Sequence, residues 1–208
     1  MAVVDMKVNQ NVAVIDIGIC NSQSVVRMLN QAGFVGEIVT DPDLLSEFRA
    51  AVLPGVGSWD AALTILESSG WDKCIQAYAA SDGVLLGICL GMQLLGSRSE
   101  EGSKRGLSII PGEVTRMRAS DSFKVPNVGW CSVNPCEGAD VDIHGEFYFV
   151  HSFRFSCDTP ANLVATSTHS EGPFAAAISN NRNVIGVQFH PEKSHQLGAR
   201  LFRQVFGE

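Results

Sequence analysis

The sequence predicts an α/β fold: a central, mostly parallel sheet flanked by helices. Three observations carry that prediction. Short apolar runs alternate with helical stretches as far as residue 95, the pattern of βα units winding onto one sheet. After residue 105 the texture changes to successive strand-like runs with weak helix signals, which adds an antiparallel portion and makes the sheet mixed. A length of 208 residues, with 45% hydrophobic and 18% charged side chains, suits one well-filled core with no linker dividing it. Residues 11–208 are read as a single domain and residues 1–10 as a short N-terminal extension.

The elements follow in order. Residues 12–16 read as the first buried strand and 22–31 as the helix after it, with Ser22 as N-cap and Gly33 just past its end. Residues 37–40 and 50–53 are the next two strands, the latter running into Pro54-Gly55-Val56-Gly57. Helices are expected over 59–67 and 73–80, then a strand over 84–88 that leads to Cys89 and a helix from Leu90. Further strands are expected over 114–117, 128–133, 147–155, 163–168, 174–178 and 184–189, and residues 197–205 close the chain as an amphipathic helix.

Composition excludes several functions. A net charge of −7 with no Lys or Arg cluster argues against a nucleic-acid surface. No apolar run is long enough to cross a bilayer, and the first ten residues lack a signal-peptide core, so a cytoplasmic protein is expected. The six cysteines (Cys20, Cys74, Cys89, Cys131, Cys136 and Cys157) form no C-x-x-C pair, and the five histidines have no zinc spacing, so no metal is expected.

Two stretches carry chemistry. In Val84-Leu85-Leu86-Gly87-Ile88-Cys89-Leu90-Gly91 an apolar strand turns sharply into a helix, and small residues on both sides let that turn expose a thiol. The helix N-terminus favours the thiolate, and the N–H after the cysteine is placed to hold an oxyanion. Near the other end, the strand Val184-Ile185-Gly186-Val187-Gln188-Phe189 delivers His190-Pro191-Glu192. A cysteine nucleophile needs a base and the base needs an orienting group, roles that suit His190 and Glu192. Each alone also reads as an ordinary residue: a buried cysteine, a satisfied histidine, a solvated carboxylate.

Gly87-Ile88-Cys89-Leu90-Gly91-Met92-Gln93 together with Phe189-His190-Pro191-Glu192 resembles the class I (triad-type) glutamine amidotransferases, which implies their flavodoxin-like fold. Leu53-Pro54-Gly55-Val56-Gly57-Ser58, Val125-Pro126-Asn127-Val128-Gly129-Trp130, Phe147-Tyr148-Phe149-Val150-His151-Ser152-Phe153 and Lys193-Ser194 narrow the likeness to glutaminase subunits of imidazole glycerol phosphate synthase. The resemblance spans nearly the whole chain. It implies hydrolysis of L-glutamine through a Cys89 thioester, with no cofactor, and delivery of ammonia to a (β/α)8-barrel cyclase subunit as heterodimeric partner.

Pro54-Gly55-Val56-Gly57 lacks the third glycine of a dinucleotide loop, since Asp60 stands there, so an oxyanion strand is the better reading. Its amides near Gly55 and Val56 would converge with that of Leu90. By resemblance, Gly57, Gln93, Glu101 and the backbone of His151, Ser152 and Phe153 hold the amino-acid end of glutamine. Glu100 competes with Glu101 for that role. The resemblance also sets Asn21, Trp130, Tyr148 and Lys193 on or beside the face that meets the partner. Trp130 reads as a gate on an ammonia path or as a core residue, and bare sequence favours core.

The chain departs from the family pattern at Asn127, Cys131, Phe153 and the loop Asp16-Ile17-Gly18-Ile19-Cys20-Asn21. None of these touches Cys89, His190 or Glu192. They leave open a paralogous glutaminase that feeds another synthase, as in amidation of a surface sugar. A silent regulatory subunit and a free-standing γ-glutamyl hydrolase are the remoter readings.

Overall fold

A computed structural model of the chain describes residues 11–121, 124–139, 141–169 and 172–207; the expected extension at 1–10 lies outside them. The first half alternates as predicted. Strands β1 (Asn11–Ile15), β2 (Val35–Val39), β3 (Ala50–Gly55) and β4 (Val84–Cys89) are separated by α1 (Ser22–Ala32), a short 3₁₀ turn at Pro42–Glu47, and the pair α2 (Trp59–Ser69) and α3 (Trp71–Ala80). A one-turn helix, α4 (Leu90–Leu94), follows β4 directly. Then come β5 (Arg98–Ser99), β6 (Gly112–Arg116), β7 (Asn127–Pro135), β8 (Gly145–His151), β9 (Phe153–Cys157), β10 (Leu163–His169), β11 (Gly172–Ser179), β12 (Val184–Val187) and α5 (His195–Phe206).

The main sheet has the order β2-β1-β3-β4-β12-β11-β10-β7-β8. From β2 to β12 every pairing is parallel. From β12 to β8 every pairing is antiparallel. The mixed sheet is therefore two halves joined at β12. Parallel strands need both faces covered, and the strand residues sort accordingly. Ala13, Ile15, Ala51 and Leu53 pack with Trp59, Leu63, Leu66, Trp71 and Ile75 of α2 and α3. Val12, Val14, Val52, Leu86 and Ile88 pack on the opposite face with Val25 and Leu29 of α1 and Leu201 and Phe202 of α5. Among the described residues no helix is long and apolar enough to cross a membrane.

Two expectations are corrected. The N-cap of α1 is Asn21, whose Oδ1 accepts from Ser24 N at 3.3 Å, while Ser22 is buried and donates its hydroxyl to Asp16 Oδ2 at 2.8 Å. The single strand expected over 147–155 is two strands in two sheets: β8 pairs with β7, whereas β9 joins a separate three-stranded sheet with β5 and β6.

Candidate active site

The sheet order places the candidate groups on adjacent strands. β3, β4 and β12 are neighbours, with Gly55 opposite Cys89 and Ile88 opposite Val187. Their carboxyl ends share one edge of the sheet, where open α/β folds collect functional groups. Cys89 ends β4 with φ 55° and ψ −109°, a left-handed conformation uncommon for a non-glycine residue. The elbow also requires its flanking glycine. A Cβ on Gly91 would run into the Leu53 carbonyl oxygen, so only glycine lets α4 settle on β3. The Cys89 thiol donates to Val150 O at 3.8 Å and receives a hydrogen bond from Gln188 Nε2 at 3.7 Å.

After β12 the chain turns through Phe189 to His190 and a 3₁₀ turn at Pro191–Lys193. The ring of His190 meets the Glu192 carboxylate, Nδ1 to Oε1, at 2.8 Å, with the two side chains only 6% and 7% exposed. Nδ1–H donates to the carboxylate, which fixes the tautomer and leaves Nε2 as the ring nitrogen available to Cys89. Burial opposes charging of this ring. The Cys89 side chain and then Glu192 outweigh it and raise the His190 pKa to about 10. The main chain of His190 is equally fixed. Its N–H donates to Tyr148 O at 2.8 Å, and its carbonyl accepts from Ser194 Oγ at 2.7 Å. The same Ser194 hydroxyl accepts from Tyr148 N at 3.1 Å, closing a ring of hydrogen bonds between β8 and the His190 turn.

Cys89 and His190 open into a cleft of about 300 Å³ that is also lined by Val56, Gly57, Leu90, Gln93, Glu101, Lys193 and the run from Val150 to Phe153. Most of the predicted site residues thus meet in one place. Gln93 is buried, and its Nε2 donates to Phe153 O at 3.2 Å and Gln188 Oε1 at 2.9 Å. His151 is buried beside it. Asn127 Nδ2 donates to its Nε2 at 3.0 Å, so its Nδ1–H donates to Phe153 O at 2.8 Å. Burial, offset only in part by the Phe153 carbonyl, drives the His151 pKa down to about 4. Two acids are told apart. Glu101 lines the cleft and accepts from Trp59 N at 3.0 Å, and burial raises its pKa. Glu100 turns away and accepts from Arg116 N at 2.6 Å.

Other predicted residues lie elsewhere. Gly55 is buried under Leu90 and Gly91, one residue behind the cleft wall formed by Val56. Asn21 caps α1 and does not line the cleft. Trp130 is not core. It is 48% exposed, stacks on His195 at 5.7 Å between ring centroids, and meets Tyr148 edge-on at 5.8 Å. Lys193 Nζ sits 5.4 Å from the centre of the Tyr148 ring, so exposed Trp130, His195 and Lys193 gather around half-buried Tyr148 in one cluster at the rim of the cleft. Gln188, fully buried between Gln93 and Cys89, was not singled out from sequence. A lone amide in the apolar run 184–189 was the available signal.

The glutamine amidotransferase class-I family model matches residues 13–207, and the chain belongs to that family. Its relatives there are narrower still. It is 38% identical over 195 residues to the imidazole glycerol phosphate synthase subunit HisH 2 of Methanococcus maripaludis, covering 91% of this chain and 96% of that one. It is 40% identical over 205 residues to subunit HisH 1 of Prochlorococcus marinus, covering 92% and 94%. Among solved structures, a glutamine amidotransferase (16% identity, 95% and 99% coverage) and PurLQS from Thermotoga maritima (19% identity, 96% and 98%) each superpose with a TM-score of 0.74 and show the same fold.

Proposed function

We propose that this chain is the glutaminase subunit of an imidazole glycerol phosphate synthase, a cytoplasmic enzyme of histidine biosynthesis, working through a Cys89–His190–Glu192 triad. The observation that carries the reading is the buried His190–Glu192 pair opening into the cleft that holds the Cys89 elbow. Cys89 thiolate attacks the side-chain carboxamide carbon of L-glutamine and forms a C–S bond. Negative charge moves to the carboxamide oxygen, which accepts from the amides of Val56 and Leu90. A donor of this kind is worth about two to three decades in rate. The adduct collapses with cleavage of the C–N bond, and imidazolium His190 gives its proton to the departing nitrogen as ammonia. Water, deprotonated by His190, then attacks the thioester, the C–S bond breaks, and glutamate leaves with the thiolate restored. Every group in this scheme belongs to the chain itself. Gln93, Glu101, Gly57 and the backbone of 151–153 surround the amino-acid end of the substrate.

The cluster of Trp130, Tyr148 and Lys193 is the face we assign to the cyclase subunit, and Asn21, the cap of α1, joins it by resemblance alone. Val128, on the same side of β7 and 56% exposed, extends it. The test is glutamate release by the chain alone, with a (β/α)8-barrel cyclase, and with cyclase plus its aminoimidazole-carboxamide nucleotide substrate. A large rise only in the last mixture supports the assignment. No rise, with Cys89 still labelled by a glutamine-analogue electrophile, assigns the ammonia to another synthase.

A further inference from the structure

We infer that Gln188 is a further catalytic residue, whose side-chain amide donates to the Cys89 sulfur and holds it as thiolate while its other end is fixed by Gln93. The inference rests on the reading of Cys89 as nucleophile. Gln188 has no exposure to solvent. A primary amide in that position costs free energy unless both ends are satisfied, whereas leucine or methionine would fill the space without polar atoms. Both ends are engaged: Oε1 accepts from Gln93 Nε2 at 2.9 Å, and Nε2 donates to Cys89 Sγ at 3.7 Å.

The orientation of the amide is determined by its neighbours. Gln93 Nε2 also donates to Phe153 O at 3.2 Å, so the Gln93 nitrogen, and not its oxygen, faces Gln188. Only the Gln188 oxygen can accept there, and that leaves the nitrogen on the sulfur. The backbone keeps the residue in place, since Gln188 N donates to Ala176 O at 2.9 Å. The second neighbour of the sulfur, Val150 O at 3.8 Å, accepts only from a protonated thiol. Once the proton leaves, that carbonyl repels the sulfur, whereas the Gln188 N–H favours the charged form alongside the His190 ring. Hydrogen bonds to charged acceptors are the stronger kind. Because the Gln188 oxygen is held by the side chain that borders the substrate, the donor is aimed before glutamine arrives.

The test compares the wild-type full chain with Gln188→Met, which keeps length and volume but has no donor. Site-resolved mass spectrometry would follow iodoacetamide alkylation of Cys89 across pH, with thermal melting to confirm folding. The expected result is alkylation about tenfold slower at neutral pH, with the acid limb of the pH–rate profile moved about one unit higher, as loss of one hydrogen bond to a charged group predicts. A purely structural role would lower the melting temperature and leave that profile in place. Profiles that superimpose overturn the inference. Should Gln188→Met not fold, Gln188→Leu serves the same comparison. If wild-type Cys89 itself reacts no faster than the other five cysteines, the nucleophile reading fails and takes this inference with it.

Discussion

The two halves of the sheet divide the labour. In the parallel half, β3, β4 and β12 end side by side and deliver the wall residue Val56, the thiol and the His190–Glu192 turn from strands remote in sequence. In the antiparallel half, β8 lends Val150 and His151 to the cleft, and β7 and β8 carry the exposed Trp130 and the half-buried Tyr148 beside it. Parallel strands point their carboxyl ends the same way, so reactive groups converge there without long loops. Antiparallel strands leave one face open, which suits docking. The site proposed for the chemistry and the surface proposed for the partner thus draw mainly on different halves, meeting at Lys193 and joined by the ring of hydrogen bonds through Tyr148, Ser194 and His190.

Substitutions in the parallel half should remove the reaction. Cys89→Ala should lower glutamine hydrolysis by on the order of 10⁴-fold or more, while ammonium salt still supports synthesis by the partner. Residual glutaminase at the wild-type rate would undo the division at once. Glu192→Gln, which loses the charge behind the imidazole, should cost about 10²- to 10⁴-fold in kcat measured with partner and nucleotide present. An unchanged kcat would relieve Glu192 of its orienting role.

The halves should also answer pH oppositely. His151, at the end of β8, titrates at about 4 when folded and at 6.5 when unfolded, so the unfolded chain binds the extra proton between those values. Stability should fall by about 3 kcal/mol as the pH drops from 6.5 to 4. His190 is raised, so its stabilising contribution is complete below pH 6.5 and disappears as the pH climbs toward 10. Urea midpoints against pH should therefore lose their acid slope in His151→Gln and their alkaline slope in His190→Asn. Identical slopes in all three proteins would contradict both assignments. The smallest effect on folding belongs to the docking face. Trp130→Ala should move stability by less than about 1 kcal/mol, since half of the ring is exposed, yet abolish the rise in glutaminase that the partner induces. A fall in the chain's own rate to match Glu192→Gln would merge the two regions.

The candidate site was more legible in the sequence than the antiparallel half. Cys89 between Gly87 and Gly91, and His190 with Glu192 just past an apolar strand, carry local signals of turn and chemistry that do not depend on distant partners. The break at Ser152 carried none. Phe147, Phe149 and His151 point inward, and Phe155 continues the same odd-numbered alternation. The aromatic residues at odd positions therefore run on across a point where the chain changes sheets. Trp130 misled for a related reason, because its bulk suggested the core. Its strand parity matches exposed Val128 and Ser132, and the polar Ser132 was the clue to that face. Gln188 escaped notice because its partners, Gln93 and Cys89, lie 95 and 99 positions away.

The positive-φ backbone of Cys89 places the chain under tension at its proposed nucleophile. Such a conformation costs about 1–3 kcal/mol, a load that the packing of the surrounding strands and helices must carry. A glycine at position 89 would relax that turn, losing about 0.5–1 kcal/mol to the freedom of the unfolded chain. On the reading of Cys89 as nucleophile, that strain is carried for the chemistry and not for the fold.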